Sequence, residues 1–199
     1  MTRRTLRVTL VYITNMSPDE ARSLMMEWVE KETLRTHMEC VAACMVSYCT
    51  GDAQERDNWI VAGLLHDFDY EKHPSMEEHP FVGVDYLRNN TDIGEEVIEA
   101  ILGHATYSGV PRITDMAKAL FAVDELAGFI VACALVRPTG LDGMQAKSVK
   151  KKLKNKKFAA GVSREDIAVG IEEHGVELSE HIDRCIDAIR TAGINIHTQ

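Results

Sequence analysis

Apolar positions recur along most of the chain at intervals of three and four residues, the period of helices with one buried face. The first such run, Ala21, Leu24, Met25, Trp28 and Val29, follows Ser17-Pro18-Asp19-Glu20. There a serine three residues ahead of a glutamate makes a capping box, and a proline stands at the first helical position. A second run, His37, Val41, Cys44, Met45 and Tyr48, predicts a helix stopping near Gly51, and a third helix is predicted from about Ala53 to His66. Ser75-Met76-Glu77-Glu78 has the form of another capping box and predicts a helix through His79, Val82, Tyr86 and Leu87. Asp92 with Glu95 repeats the device ahead of Val97, Ile98, Ile101 and Leu102. After a loop around Ser108 to Pro111, the stretch Thr114 to Val136 is largely apolar, which predicts a long, centrally buried helix ended by Arg137-Pro138. Helices from about Arg164 to His174 and from Ser179 to Thr191 complete the pattern.

Only residues 5–13, TLRVTLVYI, have the β-branched, partly alternating character of a strand. Without a partner strand they are left as an arm or as a contact in a homodimer. The expected fold is therefore all-α: residues 1–15 as an extension and one helical domain over 16–199, with helices over 144–193 forming its tail.

Composition narrows the class. A chain of 199 residues closes a core without disulfide staples, and 45% apolar with 27% charged residues speaks against disorder. No apolar run approaches the roughly 20 residues of a spanning helix, so no membrane partner is expected. The opening MTRRTLRVTLVYITN lacks both a proper hydrophobic region and a small-residue cleavage site, and a cytoplasmic address follows. The five cysteines (Cys40, Cys44, Cys49, Cys133, Cys185) are odd in number and form no CxxC pair, which favours buried free thiols. A net charge of −9 argues against a nucleic-acid polymer as partner. The charge is uneven, because seven lysines and no acid lie between Lys147 and Lys157, leaving −16 on the remainder.

Position singles out a few polar residues. His66-Asp67 ends the apolar run Ile60-Val61-Ala62-Gly63-Leu64-Leu65, and such a pair must find a partner or a metal. His37 shares the apolar face of its helix, and Asp124 interrupts the most apolar segment of the chain with only Glu125 for polar company. A buried carboxylate there costs several kcal/mol unless compensated. Singly, His37 or His104 reads as a hydrogen-bonded core histidine and Asp124 as a cap or an arginine partner. Gathered together, such residues make a nitrogen and oxygen donor set suited to iron, manganese, cobalt, nickel or zinc.

In these residues the chain resembles the HD-domain superfamily of metal-dependent phosphohydrolases. Its first His, His-Asp pair and distant Asp are met by His37, His66-Asp67 and Asp124. His79-Pro80-Phe81-Val82-Gly83 is similar to the His-Pro-x-x-Gly of two-metal members, and His104 supplies a later histidine. The likeness spans about residues 33–136, and the stretch from Phe68 to Tyr70 and the tail from Met144 look like an uncharacterised, predicted-hydrolase branch. It implies an all-helical fold and one or two divalent transition-metal ions. One ion would be held by His37, His66, Asp67 and Asp124, and the other by Asp67 as a bridge with His79 and His104. A water activated by the metal would then attack a phosphoryl group.

Where many members continue His-Asp-Ile-Gly-Lys, this chain has His66-Asp67-Phe68-Asp69-Tyr70, with the nearest lysine at Lys72. The phosphate contact of that lysine is thus in question, and Asp69 is either a general acid or the partner of a histidine ligand. His73, His174, His181 and His197 fall outside the pattern and read as surface residues. The lysine segment is either a solvated helix face or an electropositive flap in which Lys150 and Lys151, joined by Arg137, draw an anionic substrate inward. The resemblance implies hydrolysis of a small phosphorylated molecule, a nucleotide or dinucleotide in the leading reading. The alternatives are a di-iron oxygenase cleaving a C–C or C–P bond and a metal-stabilised nucleotide sensor with little turnover.

Overall fold

The computed structural model describes residues 16–196. Among them are nine α-helices and no strand. The strand-like segment 5–13 lies outside the described residues. Helix α1 (Pro18–Trp28) begins at the expected capping box: the Glu20 N–H donates to Ser17 Oγ at 3.3 Å, and the Ser17 N–H donates back to Glu20 Oε2 at 2.8 Å. Helices α2 (Glu32–Val46) and α3 (Ala53–Leu65) pack so closely that a Cβ on Gly63 would lie 2.5 Å from the Ala42 Cα. That approach fixes the two elements that carry His37 and His66.

The axis of the molecule is α6 (Asp115–Leu135), capped by Thr114, whose Oγ1 accepts from the Ala117 N–H at 3.2 Å. Most of its alanines and leucines and both phenylalanines are buried, and the helix packs against α2, α5 (Glu95–His104), α8 (Arg164–His174) and α9 (Leu178–Ala192). The α8 crossing is close as well, since a Cβ on Gly170 would lie 2.7 Å from the Ala122 Cα. Helix α7 (Ala146–Leu153) carries most of the lysine segment and packs on α9 and the far end of α6. No helix of the described residues is long and apolar enough to cross a membrane. The cysteines are free; four are buried and Cys49 is half-buried.

Two helix starts differ from the pattern. Ser75 does meet Glu78, Oγ to Oε2 at 3.2 Å, yet residues 75–80 form turns and α4 (Phe81–Asn90) begins only at Phe81. Pro80 has no N–H to continue a helical ladder and disfavours helical backbone at His79. Helix α5 is preceded by Gly94, and Asp92 stays exposed without capping it. The histidines set aside as surface residues also need correction. His181 is fully buried because α9 delivers it to two partners: Nε2 donates to the Ala122 carbonyl at 2.9 Å and Nδ1 accepts from the Tyr48 hydroxyl at 2.5 Å. His73 and His174 are half-buried, and His197 lies outside the described residues.

Candidate metal centre

Four histidines and two aspartates from five elements meet at the middle of α6. His37 comes from the second turn of α2, His66 and Asp67 from the C-terminal end of α3, and His79 from the turn before α4. His104 is the last residue of α5, and Asp124 stands midway along α6. His37 Nε2 lies 3.0 Å from Asp124 Oδ1 and 3.3 Å from His66 Nε2, and His66 Nε2 lies 3.4 Å from Asp124 Oδ1. Asp67 Oδ2 completes this group, 3.5 Å from His66 Nε2 and 3.8 Å from His37 Nε2. The other Asp67 oxygen belongs to a second group: Oδ1 is 3.3 Å from both His79 Nε2 and His104 Nε2, which are 3.2 Å from each other. Asp67 thus turns one oxygen to each group.

These spacings test the donor set against a metal. With metal–ligand bonds near 2.1 Å and angles of 90–109°, neighbouring ligand atoms lie about 3.0–3.4 Å apart. The edges of both groups fall in or close to that range, every donor is nitrogen or oxygen, and the set fits divalent transition-metal ions.

The histidines are held from behind. His66 and His104 stand at helix C-termini, where carbonyls lack intrahelical partners. His66 Nδ1–H donates to the Gly63 carbonyl at 2.8 Å, and His104 Nδ1–H donates to the Ile101 carbonyl. His79 Nδ1–H donates to Asp69 Oδ1 at 2.7 Å, while Asp69 Oδ2 accepts from the Gly83 N–H at 2.7 Å. Each of these three rings therefore presents the Nε2 lone pair inward. With both oxygens engaged and no exposure, Asp69 is placed to orient His79, not to exchange a proton with a substrate. The geometry also accounts for the glycine of His79-Pro80-Phe81-Val82-Gly83, because a Cβ there would lie 2.8 Å from Asp69 Cγ.

Electrostatics follow from the packing. Burial works against a charged His66, but the Asp67 and Asp124 carboxylates outweigh it and raise its pKa to about 9. Burial likewise works against both carboxylates, yet His66 and His104 hold Asp67 low, and His66 and His37 hold Asp124 well below the carboxylate range. Burial, reinforced by Asp124, pushes Glu125 up to about 7.

A cavity of about 400 Å³ opens onto the cluster. Beyond the donors its wall includes Tyr70, Tyr107, Phe121, Glu125, Val162 and Asp166, and among the described residues no lysine or arginine lines it. Lys72 instead lies with Nζ 4.8 Å from the Trp28 ring centroid. Arg137 follows the end of α6, roughly 15–20 Å along the axis from Asp124, and its guanidinium donates to the Gly140 and Asp142 carbonyls, both at 2.8 Å. Lys150 donates to Ser179 Oγ at 2.8 Å, and with Lys151 it lines a separate groove between α7 and α9. None of these four residues lines the cavity, so the expected basic flap does not cover it. Sequence reading passed over Tyr107, Glu125 and Asp166 as site residues. For Glu125 a signal existed, a second acid in an apolar helix, whereas Asp166 looks like any acid in the first turn of a helix.

The HD domain family model matches residues 34–128, which include all six donors. No curated protein and no solved structure matches the chain. With the all-helical fold and the paired His/Asp groups in place, residues 34–128 are identified as an HD domain.

Proposed function

We propose that the chain is a metal-dependent phosphohydrolase acting on a small phosphomonoester. The observation that carries this reading is the division of Asp67, one oxygen toward His37, His66 and Asp124 and the other toward His79 and His104. Two divalent ions held there would supply a water of lowered pKa and a double positive charge for a phosphoryl group. The chain's own part is orientation. Asp69 and the Gly63 and Ile101 carbonyls keep the imidazole protons on Nδ1, so the inward Nε2 atoms remain donors of electron pairs. Tyr70, Tyr107 and Phe121 shape the wall that receives the rest of the substrate.

The wall favours one phosphate over several. A cavity of about 400 Å³ that no lysine or arginine of the described residues lines suits a compact monoester better than a nucleoside polyphosphate or a dinucleotide. Release of inorganic phosphate from a panel of monoesters, with manganese, cobalt, nickel, iron and zinc in turn, tests the reading. Turnover that Asp67→Asn abolishes is expected; no release with any ion would refute it. The bare wall also gives a second reading its one support, because the substrate of a di-iron oxygenase need not carry a phosphoryl group. Iron-dependent consumption of dioxygen in the same panel would select it.

A further inference from the structure

The cavity wall carries acids besides the six donors. Glu125 from α6 and Asp166 from α8 both line it. Glu125 Oε2 accepts from the Ser163 N–H at 3.0 Å, which fixes the side chain, and among the described residues neither Glu125 Oε1 nor the Asp166 carboxylate has a hydrogen-bond partner. Tyr70 and Tyr107, 45% and 43% exposed, add two aromatic rings to the same wall.

The arginines close in sequence to this wall are engaged elsewhere. Arg112 lies 3.7 Å from the Phe121 ring centroid, pairs with Glu173 at 2.5 Å and donates to the Gly103 carbonyl at 2.8 Å. Arg164 donates to the Ala159 and Val162 carbonyls at 2.5 and 2.8 Å. The first-turn position of Asp166 suits the positive end of the α8 dipole. That explanation covers neither Glu125, in the middle of α6, nor the lack of a basic residue in the wall among the described residues.

Charge balance gives the consequence. Asp67, Asp124 and Asp166, with Glu125 when it is ionised, offset most or all of the charge of two divalent ions, so a phosphate dianion would enter with little left to compensate it. We propose that the substrate of this site carries an ammonium group, primary or quaternary, a few bonds from the phosphate, received by Glu125, Asp166 and the rings of Tyr70 and Tyr107. Carboxylates attract such a group by charge, and tyrosine faces by their quadrupole. The phosphate end of this substrate rests on the hydrolase reading above; the ammonium end does not.

Matched pairs of esters separate the two. Phosphocholine is compared with its uncharged isostere 3,3-dimethylbutyl phosphate, and phosphoethanolamine with propyl phosphate, on metal-loaded protein. Independently of turnover, saturation-transfer NMR compares choline with 3,3-dimethylbutanol, with metal present and after chelation. The expected result is a kcat/KM at least tenfold higher for a charged ester than for its isostere, with choline bound in preference to the alcohol. Asp166→Asn should bring both preferences toward unity, and Tyr107→Leu should weaken them. Equal cleavage within each pair, with choline and the alcohol bound alike, would overturn the ammonium proposal and leave the hydrolase standing. If no ester is cleaved but a choline preference is lost in Asp166→Asn, the hydrolase reading falls and the ammonium site stands. A preference that survives both substitutions belongs to the acidic surface at large and would overturn the proposal.

Discussion

At the scale of single residues, the centre is governed by what stands behind each histidine. Asp69 joins His79 Nδ1 to the Gly83 N–H, so Asp69→Asn should weaken binding of one of two ions by about 10- to 100-fold while the other is little changed. Titration with manganese, read as two separate affinities, checks this; equal weakening of both would contradict it. His66 adds a pH dependence. Its folded pKa of about 9 lies above the ordinary 6.5, so its contribution to the stability of metal-free protein is complete below 6.5 and is lost as pH rises through about 9. An ion must displace that proton, so metal affinity should rise up to tenfold per unit between pH 6.5 and 9 and then level off. Calorimetry in buffers of different ionisation enthalpy would register the released proton. His66-Asp67 and Asp124 were legible in the sequence because polar residues at the ends or in the middle of apolar runs need compensation. Asp166 was not, because a first-turn acid looks the same whether it faces solvent or a cavity.

At the scale of elements, helix contacts set the distances between donors. Gly63→Ala would bring a methyl group to 2.5 Å from the Ala42 Cα, which is backbone and cannot rotate aside. Forcing α2 and α3 apart should cost about 1–3 kcal/mol, visible as a lowered Tm, and should weaken metal binding as His37 moves away from His66. Unchanged stability and affinity would show that the crossing tolerates the shift. The loop before α8 hangs on one side chain, since Arg164 donates to carbonyls at residues 155, 158, 159 and 162. Arg164→Ala should therefore loosen residues 155–163, read as faster hydrogen exchange there, with α6 still protected. Helices α1, α3, α6, α8 and α9 were readable because caps, apolar period and terminators agree. The start of α4 was not, since a capping pair formed at Ser75 and Glu78 and Pro80 still denied it a helix.

For the whole molecule, charge and chemistry are separated. The lysine helix packs on α9 and the end of α6, while the donors gather at the middle of α6. Neutralising Lys150, Lys151, Lys152 and Lys154 together should thus leave KM for a small phosphomonoester within about twofold at low salt, where capture by those charges would be strongest. A large rise would restore them to the substrate's path. The sequence showed that a basic segment existed but not which way it faced, because seven lysines in eleven positions leave their orientation to the tertiary packing of α7. The central claim is that one carboxylate, Asp67, serves two cations. Anomalous diffraction from manganese-loaded crystals tests it most directly. Two peaks about 3.5–4 Å apart are expected, one among His37, His66 and Asp124 and the other beside His79 and His104, each next to a different oxygen of Asp67. A single peak at full occupancy, or manganese bound away from Asp67, would contradict the account.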